Sequence, residues 1–104
     1  MNRADAHQVL AALAGQPLTS AEDRALRTEA VHTLKASAED VLAPLPRRLS
    51  DAWAYRAALE TDPTADASEL VEAGRLVRAI ERRVGWARTH AERQAEAVLD
   101  GETA

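Results

Sequence analysis

No cysteine occurs in the chain, so neither a disulfide framework nor a thiolate zinc site can form. Phenylalanine is absent too, and the aromatic side chains are limited to Trp53, Tyr55 and Trp86. Glycine is sparse and scattered, at Gly15, Gly74, Gly85 and Gly101, which excludes a glycine-rich phosphate loop. No apolar run approaches the ~20 residues of a membrane span, and the start of the chain has no signal-peptide h-region. No membrane partner is therefore expected. The expected location is cytoplasmic, or within a virion if the gene is phage-borne. Lysine is nearly missing: Lys35 stands alone against 12 arginines. With so much alanine, that bias is the mark of a GC-rich bacterial or phage gene. The formal net charge of −4 argues against a general binder of nucleic acid or anionic membranes.

What is present is alanine, 24 residues of 104, matched by the same number of larger apolar side chains. Alanine has the best helix propensity but contributes little transfer energy when buried. It also lets two helix backbones approach closely. This composition predicts an all-α fold, a small bundle of about four tightly packed helices, with room for a partner to complete the core. The length predicts one domain over residues 1–100, with 101–104 as a frayed tail.

Periodicity and punctuation place the helices. A first covers about Asn2–Ala14, with Ala6, Val9, Leu10 and Leu13 on one face, and Gly15 and Pro17 stop it. A second opens at a capping box of Thr19 and Glu22 and carries the stripe Leu26, Ala30, Leu34, Ala38 and Leu42, widened by Val31 and Val41. Pro44 and Pro46 end it. A third starts at Pro46 or Leu49 and reaches Glu60, with Leu49, Ala52, Trp53, Arg56 and Leu59 inward and Tyr55 at the margin. Asp66 and Glu69 then form a second capping box.

The last helix is the most informative segment. Apolar residues recur at alternating steps of three and four: Leu70, Ala73, Val77, Ile80, Val84, Ala87, Ala91 and Val98, interrupted by Gln94. This is a coiled-coil-like heptad seam. A continuous helix over this span is about 50 Å long, whereas a compact domain with a gyration radius near 13 Å is only about 35 Å across. Either the helix breaks at Gly85 or its end overhangs, and the unbroken pattern favours the overhang.

The sequence shows little catalytic equipment. His7, His32 and His90 fall on three different helices without a spacing that would converge them on a metal. Glu29 and His32 make one Glu-x-x-His step, but a di-metal bundle site needs two. Ser20, Ser37, Ser50 and Ser68 lie in no nucleophile elbow. No cofactor, metal site or enzymatic activity is expected. Arg75, Arg78 and Arg82 share a helix face and offer a possible contact to phosphates, but acids flank the helix at both ends. A nucleic-acid-associated accessory role is therefore the alternative rather than the main reading. The main expectation is a non-catalytic protein-interaction module, self-associating or joined to a protein partner. Its contacts would be Leu70, Ala73, Val77, Ile80, Val84, Trp86, Ala87, Ala91 and Val98. Trp53 reads as core, and Trp86, outside the strict seam, as either core or interface anchor.

Overall fold

The computed structural model describes residues 1–103. Its regular elements are four α-helices: α1 (Arg3–Leu13), α2 (Ala21–Glu39), α3 (Leu45–Glu60) and α4 (Ala67–Thr103). The all-α bundle with a long last helix is the fold that composition and periodicity imply. α4 is continuous through both Gly74 and Gly85 and is assigned as far as Thr103. Of the tail expected to fray, Gly101 thus belongs to the helix, and Ala104 lies outside the described residues.

Side chains close the helix starts where the first backbone N–H groups have no partner within the helix. Asn2 Oδ1 accepts from the Asp5 N–H (2.8 Å), and Asp66 Oδ1 accepts from the Glu69 N–H (2.9 Å). At α2 the cap is Ser20, whose Oγ accepts from the Asp23 N–H at 3.0 Å. The capping pair sits one residue later than Thr19 and Glu22, because two candidate caps are adjacent and each has an acid three residues on. α3 has no side-chain cap; Pro46 occupies its first turn, where a missing N–H costs nothing. Gly15, with φ +75°, turns the chain out of α1.

Each helix packs on the one before it, and two apolar clusters form the core. Ala6, Ala30, Leu34, Tyr55, Leu59 and Ala73 draw one residue or more from every helix. Ala38, Ala52, Val77 and Ile80 make the second cluster, with Leu45, Leu49 and Val84 packed against it. Most fully buried positions are alanines, so the helices gain stability from close backbone approach rather than from bulk.

The expected faces are buried at Ala30, Leu34 and Ala38 on α2 and at Ala52 and Leu59 on α3, and the structure differs at their flanks. On α3, Tyr55 is core, while Trp53 is exposed, with the Arg56 guanidinium 5.2 Å from its ring centre. Arg56 is likewise at the flank, paired with Glu60. On α2, Leu26 is exposed, and the helix ends before Val41 and Leu42, both of which face solvent. Three charged side chains, Arg27, Arg48 and Asp51, are buried beside these apolar faces. Arg27 pairs with Asp62 and donates to Thr61 Oγ1 (3.1 Å), pinning α2 to the α3–α4 joint. Arg48 Nε donates to the Ala38 carbonyl at 2.8 Å, satisfying the end of α2. Asp51 accepts two bonds from Arg3 Nε (3.0 and 2.9 Å) and lies 2.9 Å from His7 Nε2, tying α1 to α3.

The bundle does not cover all of α4. The molecule measures 68 × 26 × 22 Å, and its gyration radius of 18.0 Å exceeds the roughly 13 Å of a compact chain of this length.

Candidate interaction surface

The heptad seam of α4 divides into two functional halves. Ala73, Val77 and Ile80 are turned into the chain's own core against α2 and α3. They are consumed within the molecule and are closed to a partner. Leu70 sits at the exposed edge of that packing, and Val84 and Ala87 are half-buried where α3 begins. From Arg88 to Gly101 every residue is exposed. Ala91 and Val98 (62% exposed) therefore belong to an overhang, together with Leu99 (60%), a residue the heptad pattern passes over.

Trp86 stands at the root of the overhang, 68% exposed. Its indole stacks on the His90 imidazole, with ring centres 5.1 Å apart and planes within 5° of parallel. Gln94 Nε2 in turn lies 3.1 Å from His90 Nε2. The three side chains form a ladder at four-residue steps that holds Trp86 against its own helix. Beside it, Leu45, Arg82, Arg83, Trp86 and Ala87 line an open, mostly apolar hollow at the junction of α3 and α4.

The arginine stripe is exposed as expected, but the structure disperses it. Arg75 borders Glu39, Tyr55 and Glu72. Arg78 Nε donates back to the Gly74 carbonyl at 3.2 Å, and Arg82 belongs to the Trp86 hollow.

Compared with protein-family models, curated proteins and solved structures, the chain matches none. Function must be read from its own surfaces.

A separate cleft of about 370 Å³ lies between α2, α3 and the start of α4. Arg27, His32, Lys35, Tyr55, Asp62, Glu69 and Glu72 reach it. Burial raises the Tyr55 pKa despite the opposing field of Lys35, whose Nζ is 6.0 Å from the ring centre; Glu72 and Glu69 add to the rise. A phenol held protonated in this way is a weak base and a poor nucleophile. Arg27 is already engaged by Asp62 and Thr61, so the strongest cation of the cleft serves the fold. Glu29 pairs with the N-terminal ammonium at 3.3 Å. Among the described residues, no three His, Asp or Glu side chains converge closely enough to hold a metal ion. No described helix is long and apolar enough to cross a membrane.

Proposed function

We propose that this chain is a non-catalytic protein-binding module, working as a structural or adaptor component of a larger assembly or as a small regulator. The overhanging half of α4 is its binding element. One observation carries this reading: α4 runs on beyond its own core from Arg88, presenting Ala91, Val98 and Leu99 to solvent with Trp86 at the root. Isolated helices shorter than about 12–15 residues are marginal in water, so a bare overhang of similar length gains order when another helix covers it. Tryptophan at such a root is the residue type most often found at the energetic centre of an interface.

A photo-reactive amino acid placed at Ala91 or Val98 in the producing cells should give discrete protein adducts, while the same group at Thr28 should not. Absence of adducts at both α4 positions would sink the proposal. A role on nucleic acid through Arg75, Arg78 and Arg82 is the weaker alternative, since Glu39 and Glu72 line one groove with Arg75 and Lys35 and leave it no net positive charge to hold a phosphate backbone. Micromolar binding of duplex or single-stranded nucleic acid at about 150 mM salt, lost on Arg75→Ala with Arg82→Ala, would reverse that ranking.

A further inference from the structure

We infer that the hollow beside Trp86 is the docking site for a partner segment in which an aliphatic side chain is flanked by carboxylates; this rests on the protein-binding reading above and adds the partner's chemistry. The hollow lies where α3 begins and the overhang of α4 takes root. Leu45, Trp86 and Ala87 give it apolar walls, and the rest of its lining is Arg82 and Arg83. The turn that leads into α3 adds Val41 and Leu42, both exposed, so large uncovered apolar side chains gather at this end of the bundle. Apolar surface gathered in one place and rimmed by polar groups marks an interaction site.

Charge selects the occupant. No acid lines the hollow, and neither Arg82 nor Arg83 makes an ion pair among the described residues. Glu81 and Glu92, the acids nearest this stretch of α4, stand about 140° and 120° around the helix from Trp86 at 3.6 residues per turn, away from the hollow. The acids at the end of α2 are also committed elsewhere. Asp40 Oδ2 lies 3.9 Å from Arg47 Nη2, and its Oδ1 accepts from the Leu42 N–H at 3.0 Å. Glu39 lines the groove that holds Lys35 and Arg75. The hollow is thus a basic spot on a chain of net charge −4, and its cations have nothing of their own to pair with. Carboxylates on either side of an anchoring side chain meet these two guanidinium groups, whose fork of N–H donors matches a carboxylate. The anchor itself is aliphatic. Two walls of the hollow are Leu45 and Ala87, and one face of the Trp86 indole is already stacked on His90, which leaves less of the ring for a nucleobase to stack on.

Selection of a displayed library of random linear peptides on the full chain tests this. Peptides that carry Leu, Ile or Val beside acids should dominate, and the same selection on a chain with Arg82→Glu and Arg83→Glu should exchange those acids for Lys or Arg. A synthetic copy of a selected peptide should bind with a micromolar dissociation constant. Trp86→Ala should weaken that binding at least about tenfold while leaving the circular dichroism spectrum unchanged, and so should raising the salt from about 0.1 to 1 M. With Trp53→Phe, Trp86 is the sole tryptophan, so its emission should move to shorter wavelength as the peptide covers it. A selection without acidic peptides, or binding indifferent to Trp86→Ala, would overturn the inference. Tighter binding of single-stranded DNA or of anionic phospholipid vesicles through the same residues would do so as well. Any of these results, with photo-adducts still forming at Ala91 or Val98 in cells, would strike the hollow alone and leave the protein-binding reading in force.

Discussion

Asp51 is fully buried on α3, yet both of its partners, Arg3 and His7, come from α1 and keep part of their surface in water. Removing the carboxylate by Asp51→Ala leaves those partners free to turn outward. The expected loss is therefore about 1–3 kcal/mol rather than the 3–5 kcal/mol that follows when a buried charge is orphaned. Urea denaturation measures it, and an unchanged midpoint would show that α1 docks without this contact. Asp62 makes a pH-dependent contribution. Burial acts to raise its pKa, but hydrogen bonds from the Thr64 hydroxyl and N–H, together with Arg27, outweigh that and leave the carboxyl below its ordinary value. A carboxylate with a depressed folded-state pKa adds stability above its unfolded pKa, and that stability is lost as the pH falls through the folded value. The stability advantage of wild type over Asp62→Asn should thus be complete at neutral pH and shrink below about pH 4. Urea midpoints of the two proteins along a pH series check this.

At the scale of elements, α4 is one helix in two environments. Ile80 and Val98 stand on the same heptad seam, but Ile80 is 1% exposed and Val98 faces water. Ile80→Ala should cost about 2–4 kcal/mol by losing buried surface and leaving a cavity, whereas Val98→Asp should change the stability of the dilute chain by less than about 0.5 kcal/mol. Thermal melts at low concentration separate the two. Equal losses would mean that the overhang packs on its own bundle. The hydrophobic pattern alone does not mark this division, because a heptad seam looks the same whether the helix that covers it belongs to the same chain or to another. α2 and α3 show the opposite failure. Trp53 and Leu26 fit an inward stripe by spacing and by apolarity, and they are nevertheless exposed. Arg27, Arg48 and Asp51 are buried in their place and hydrogen-bonded, and hydropathy gives those residues no inward weight.

For the whole molecule, the elongated shape is the measurable consequence. X-ray scattering on dilute protein should give a gyration radius near the 18.0 Å of the structure. A value near 13 Å would mean that α4 folds back at Gly85. The backbone gives no reason for such a break, since Gly85 is helical with open space around it.

Local signals in the sequence were enough to place four helices and the Asp66 cap and to favour an overhanging last helix, although α2 is capped at Ser20 and stops at Glu39, short of the prolines read as its end. Helix propensity, capping and proline act over a few residues, and they are legible without knowing what lies nearby. The exposure of Leu26 and Trp53 at the flanks of those faces, where α3 stops covering α4, and the placing of Trp86 in a ladder with His90 and Gln94 were decided by tertiary structure. These depend on contacts between residues distant in the chain, such as Asp51 on α3 with Arg3 on α1, which no local pattern of propensity or hydropathy records.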